Sequence, residues 1–215
     1  MAHIHLEDGS FSLFFVLVWW AAAIILVGIA IYLIRSEKKP DRRKITLAAF
    51  CTAAAFAIFQ VSIPILGGVH LNLTPIIGIL VGPAAGSLVV LIINILSSAI
   101  GHGGWGLIGA NALVNIVEVV VAYSCFRVLK SAIPALLPRA GIATIVGLLC
   151  GNIAMILIIV ISGVQGVNQS PGQILVGLSL IAAVNMGVAV IEAFITGLIV
   201  ASIWKVRPDL LGEEK

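Results

Sequence analysis

The sequence predicts an all-α integral membrane protein of seven transmembrane helices. Three observations carry that prediction. Hydrophobic residues make up 61% of the 215 and charged residues 10%, with a mean hydropathy of +1.21; no polar surface could cover such a chain, so its solvent is lipid. Apolar runs of about twenty residues, enough to cross ~30 Å of hydrocarbon, recur along its length. The 12 lysines and arginines fall in clusters between those runs, and short basic loops stay cytoplasmic.

The first run, 11–34, is too long for the apolar part of a signal peptide, about 7–15 residues, and the segment before it is acidic and histidine-rich rather than basic. The amino terminus is therefore expected to be retained apart from Met1, whose removal the small second residue Ala2 favours. The run 45–63 follows. Next comes 72–100, broken near its middle by Gly82-Pro83, and then 105–126, 142–161 and 174–204. The whole chain, 1–215, reads as a single polytopic membrane domain: an external terminus at 1–10, a first span at 11–34 and the remaining spans over 45–204. Cys51, Cys125 and Cys150 show no C-x-x-C spacing and read as small packing residues.

The basic clusters set the number of crossings. Six cations lie in 35–44 (RSEKKPDRRK), three more are Arg127, Lys130 and Arg139, and the last three are Lys205, Arg207 and Lys215. For the first two clusters to share a side, the chain between Lys44 and Arg127 must cross an even number of times. The segment 72–100 must then supply two short spans or a re-entrant hairpin. The result places the amino terminus outside and the carboxyl terminus in the cytoplasm, in a multi-pass protein of the cell membrane.

On that topology all four histidines, His3, His5, His70 and His102, lie at the external face with Glu7 and Asp8. A single loop histidine carries little weight. Four at one face, with no lysine or arginine among them, form a donor-rich surface. Neutral imidazole is the commonest side-chain ligand of divalent transition metals, and a free α-amino group, with pKa near ~7.7–8.0, adds a second nitrogen. With Met1 removed, histidine stands second: the Ala2 amine and the His3 amide and imidazole nitrogens close adjacent chelate rings, leaving an in-plane position for His70 or another distant imidazole. With Met1 retained, histidine stands third and the plane fills without a partner. The donor set suits nickel(II), copper(II) and cobalt(II). His70 sits in GGVHLNLTP and His102 in GHGGWGLIGAN, glycine-rich turns that let the backbone approach closely; neither is a phosphate cradle, since no strand precedes and no G-K-[ST] follows.

The His-Ile pair followed by Asp8-Gly9, the GGVHL turn, Gly82-Pro83, the GHGGWGLIGAN turn and the closing VIEAFITGLIVASIWKVRPDLL together resemble the CbiM/NikM family, the substrate-capture membrane subunits of energy-coupling-factor importers for cobalt and nickel. The resemblance runs nearly end to end. It implies a seven-helix protein, one added amino-terminal helix at 11–34 ahead of a six-helix core at 45–204, that holds a cobalt(II) or nickel(II) ion as cargo, needs no cofactor, catalyses nothing and supplies cobalt for cobalamin biosynthesis. Carried over, the metal ligands are Ala2, His3 and His70. The family usually begins Met-His-Ile; here Ala2 intervenes and His5-Leu6-Glu7 lengthens the turn, so His5 and His102 stand as candidate substitute or extra ligands. The implied partners are a membrane coupling subunit, cytoplasmic ATP-binding cassette ATPases and a small accessory membrane subunit, with no role for nucleic acid. The chain itself has no G-x-x-x-x-G-K-[ST]. Ala49, Ala53 and Ala57 form a small-residue stripe of the kind that lets helices approach closely in lipid. It serves either packing within the bundle or, as the resemblance implies, docking of the coupling subunit.

Two carboxylates, Glu118 and Glu192, lie within the spans, where an ionisable group is costly and marks function by default. Asn111 and Asn115 share a helix with Glu118 at spacings of seven and three, and Asn94 lies on the preceding span; a polar seam facing the bundle interior is expected. A proton-coupled carrier using both carboxylates is the alternative function, although paired broken helices in inverted halves are not evident. An intramembrane zinc enzyme is disfavoured by the lack of H-E-x-x-H.

Overall fold

The computed structural model describes residues 8–36, 42–60, 62–63, 69–166 and 170–211. Its seven α-helices are α1 (Leu13–Ser36), α2 (Arg42–Phe59), α3 (Thr74–Val81), α4 (Pro83–Ala99), α5 (Ile108–Val128), α6 (Leu136–Ser162) and α7 (Pro171–Val206), with 3₁₀ turns at Trp105–Leu107 and Pro208–Leu211. A two-residue antiparallel ladder, β1 (Ser62–Ile63) with β2 (Val69–His70), closes the loop after α2, Ser62 standing opposite His70. Among the described residues four helices are long and apolar enough to cross a membrane, those at Leu13–Ser36, Trp105–Val128, Leu136–Ser162 and Gly172–Val206. Large apolar side chains stand on their outer faces, among them Phe14, Ile24, Val176, Leu180 and Phe194, a surface that water would not tolerate and lipid requires.

α2 stops at Phe59, four residues before the apolar run ends. Ser62 and Ile63 enter the ladder, consistent with Pro64 next in sequence, since the residue before a proline is pushed toward extended backbone.

Segment 72–100 resolves into a helical hairpin. α3 has eight residues, a length of about 12 Å, and every one of them is buried. At Gly82 the chain takes φ 84°, a left-handed value that favours glycine, and Pro83 opens α4 at a position where its missing N–H costs nothing. α4 has 17 residues and returns, so that the start of α3 and the turn after α4 meet: the rings of His70 and His102 are 4.6 Å apart. The hairpin enters and leaves at one end of the bundle, as even parity requires.

Described members of the basic clusters gather at the opposite end. Arg43 at the start of α2 pairs with Asp209 beyond α7 at 3.2 Å, and Arg139 on α6 lies 4.2 Å over the Phe126 ring on α5. Leu33, Lys44, Gly82 and Tyr123 line one cavity there. Cations at one end and described histidines at the other reproduce the separation expected from charge alone.

Glycines set how closely the helices pack. A Cβ at Gly78 of α3 would strike the Val119 carbonyl of α5, and one at Gly109 of α5 would lie 2.6 Å from the backbone nitrogen of Trp20 in α1. Gly78→Val forces two buried backbones apart, an overpacking cost of about 1–3 kcal/mol. Thermal unfolding in detergent should show a clearly lowered midpoint for this variant, whereas Gly28→Val, at a position with open space around it, should leave the midpoint near that of the parent.

Candidate metal centre

His70 closes the ladder and is buried, while His102 is half-buried in the turn between α4 and α5. Their rings meet edge to face at an interplanar angle of 87°, and Phe59 at the end of α2 packs against both, at 4.9 Å from His102 and 5.8 Å from His70. The His102 turn is shaped by Gly101 and Gly103, at φ 82° and 91°, left-handed values that a side chain would strain. Its backbone is tied back by the His102 N–H donating to Ser97 O at 2.9 Å. Gln60 Nε2 donates to Ser97 Oγ at 3.3 Å, drawing the end of α2 to the same turn. Burial first, and the charge of neighbouring His70 second, hold the His102 pKa below the usual imidazole range, which keeps it in the neutral form that binds metal.

Beyond His70 the chain does not run along the surface. It passes through Leu71, Asn72 and Leu73 into the bundle before α3 begins, with Asn72 and Leu73 buried and Leu73 in a left-handed conformation at φ 53°. Non-helical backbone at that depth must find internal partners. Glu192 on α7 provides them: one oxygen accepts the Leu73 N–H at 2.9 Å and the other the Asn72 N–H at 3.3 Å. Glu118 on α5 takes the side chains of the same loop, accepting from Asn72 Nδ2 at 3.2 Å and from the Thr74 hydroxyl, while Asn72 also donates to Asn115 Oδ1 at 3.3 Å. Both carboxylates are fully buried. On the α6 side Glu118 has room only because residue 151 is glycine; a Cβ there would run into its Cγ and Oε1.

The carboxylates and Asn115 thus form an interior seam, as the sequence predicts, but its principal partners, Asn72 and Thr74, come from the loop. Asn111 is buried on the same helix. Asn94 is buried too, yet its amide donates at 2.8 Å to Val90 O in its own helix. A second polar contact, not anticipated, joins α6 and α7 where Asn185 Nδ2 donates to Asn152 Oδ1 at 3.0 Å. Ala49, Ala53 and Ala57 all stand on the outer face of α2, while Cys51, Ala55 and Phe59 turn inward; the stripe is surface, not internal packing. Ala2, His3 and His5 lie outside the described residues, among which no three His, Cys, Asp or Glu side chains converge to hold a metal. The described part of the centre is the His70–His102 pair.

Removing Glu192 strands two backbone N–H groups in the bundle. Glu192→Ala should cost on the order of 2–5 kcal/mol, and Glu192→Gln, which keeps one accepting oxygen, should cost less; denaturant unfolding in detergent measures the difference. His102 makes its own pH signature. Because its folded pKa is lowered, its contribution to stability is complete above the unfolded value of about 6.5 and is lost as pH falls below it. Metal-free protein should lose stability between about pH 7 and 5, and His102→Asn should flatten that loss.

The chain is 28% identical over 217 residues to a putative fused nickel transport protein of Archaeoglobus fulgidus, covering 98% of this chain and 69% of that one. It is 25% identical over 217 residues to a putative cobalt transport protein of Methanocorpusculum labreanum, covering 97% and 92%, and 26% identical over 212 residues to a putative metal transport protein of Haloquadratum walsbyi, covering 97% and 93%. A crystal structure of a transition metal transporter superposes with a TM-score of 0.80 at 21% identity, over 94% of this chain and 93% of that one, which shows the shared fold. The family model described as the cobalt uptake substrate-specific transmembrane region matches residues 5–210. The chain is therefore a multi-pass membrane protein and belongs to the CbiM family of cobalt and nickel transport proteins.

Proposed function

We propose that this chain captures divalent cobalt or nickel at the outer face of the membrane and acts as the substrate-binding subunit of an ATP-driven importer of the energy-coupling-factor class. The observation that carries the reading is the meeting of His70 and His102, ring centroids 4.6 Å apart, at the end of the bundle where the amino terminus enters. The ion is cargo. Ala2, once Met1 is removed, and His3 supply nitrogen donors, and His70 completes the plane; His102 and His5 stand beside it. Relatives named for nickel and for cobalt transport support the choice of ion class, and a nitrogen-only donor set accepts both.

The orientation with the amino terminus outside rests on the basic clusters gathered at the far end. The exposed stripe Ala49, Ala53 and Ala57 supports docking of a membrane coupling subunit against α2. ATP hydrolysis then falls to partner ATPases, with a small accessory membrane subunit completing the assembly and cobalamin biosynthesis as the consumer of cobalt. A proton-relay role for Glu118 and Glu192 is not favoured, because both are committed to the loop behind His70.

Purified protein should bind one cobalt or nickel ion in calorimetry, and loss of a ligand should weaken binding by at least about 10–100-fold. His70→Ala and His3→Ala are both expected to show that loss, as is an amino terminus blocked by a retained extension. Undiminished binding in His70→Ala overturns the ligand assignment, and a parent protein that binds neither ion overturns the function.

A further inference from the structure

The described segment ahead of α1 is fastened at its first residue, Asp8. Asp8 Oδ1 accepts the Gly106 N–H at 2.8 Å and Oδ2 the Trp105 N–H at 3.1 Å, amides at the beginning of the 3₁₀ turn that leads into α5, where a negative charge is favourably placed. Gly104 shapes the seat, since a Cβ there would collide with the Asp8 carboxylate. Two residues on, Ser10 O accepts the Gln165 N–H at 2.8 Å, and Phe11 is buried with Leu107, Val114 and Met155. Trp19 Nε1 donates to Ser162 Oγ at 2.8 Å, and Gly109 admits the α1 backbone against α5. Asp8 is thus the outermost described anchor of the amino-terminal limb, and it grips the turn that begins three residues after His102.

We infer that Asp8 is a positioning residue for metal capture: its carboxylate locks the amino-terminal limb to the His102 turn, so that terminal nitrogens and the His70–His102 pair meet the ion as one preformed chelator. The inference rests on the capture reading. Four residues separate His3 from Asp8, and the five peptide units between them span at most about 18 Å, so a fixed Asp8 bounds how far the terminal donors can stray from the His102 turn. A donor tethered that closely acts at high effective concentration, and releasing the tether lowers it without removing any ligand. Groups that orient metal ligands from outside the coordination sphere typically contribute about 10–100-fold in affinity. Asp8 is exposed and its partners are backbone amides, so its loss need not empty the core.

The test measures nickel and cobalt affinity and the nickel dissociation rate for the full chain in detergent, comparing the parent with Asp8→Ala, Gly104→Ala and the double variant. Gly104→Ala dislodges the carboxylate while leaving it in the chain. Each single variant is expected to weaken affinity about 10–100-fold through faster dissociation, and the double variant to lose no more than either alone, because both break one clamp. The melting temperature of the metal-free protein should move by only a few degrees, and an aminopeptidase should trim the metal-free amino terminus faster in both single variants. Parent-like affinity and dissociation in both overturn the inference while leaving capture intact. Loss in Asp8→Ala with none in Gly104→Ala also overturns it, since Asp8 then acts other than through its seat at Gly104, and so do multiplicative losses in the double variant, since the two substitutions then act independently rather than on one clamp. Absence of nickel and cobalt binding in the parent overturns the capture reading and the inference with it.

Discussion

The structure depends on two carboxylates that replace a missing stretch of helix. Between β2 and α3 the backbone descends into the bundle outside any helix or strand, so the amides of Asn72 and Leu73 depend on side-chain acceptors. Glu192 accepts the amides of Asn72 and Leu73, and Glu118 accepts the side chains of Asn72 and Thr74. An intramembrane carboxylate is costly in isolation; here the cost is offset by donors that would otherwise be stranded, so the acids and the loop each need the other. The short α3 follows from this arrangement, because the descent covers in irregular chain what a longer helix would have covered.

That constraint reaches the surface through His70. Only Leu71 separates His70 from the first bonded amide, so the depth of the loop and the position of the imidazole are coupled. The opposite ring belongs to a different device: a turn whose glycines at 101 and 103 take left-handed angles and whose backbone is tied to Ser97. Phe59 bridges the two and fills the space beside them. One imidazole is held from inside the bundle and the other from its rim, each by groups that touch no ion.

Close approach of backbones is the second theme. Without a hydrophobic drive between helices in lipid, association rests on packing and on small residues. Glycines at 78, 109 and 151 let α3, α1 and the Glu118 carboxylate, respectively, reach neighbours that any Cβ would block. The alanine stripe of α2 uses the same residue chemistry on the outside, and its exposure separates it from the inward glycines even though spacing alone treats them alike.

The class of the protein, its seven helices, the break at Gly82-Pro83, and the gathering of described cations at one end and of His70 and His102 at the other were legible in the sequence, because each follows from hydropathy, charge or one residue's backbone preference, all local properties. Glu118 and Glu192 were legible as buried, costly groups, but their principal partners were not. Periodicity pointed to Asn111 and Asn115 on the same helix, and Asn115 does take part. Asn72 and Thr74, 46 and 44 residues before Glu118, looked like an ordinary polar loop next to a short apolar segment. Tertiary structure alone decided that this loop descends into the bundle, that Gly151 yields space to a carboxylate, and that Asp8 grips the turn after His102. The reason is physical: which donor meets which acceptor across helices is settled by the packing of all seven together, and no single segment carries that information.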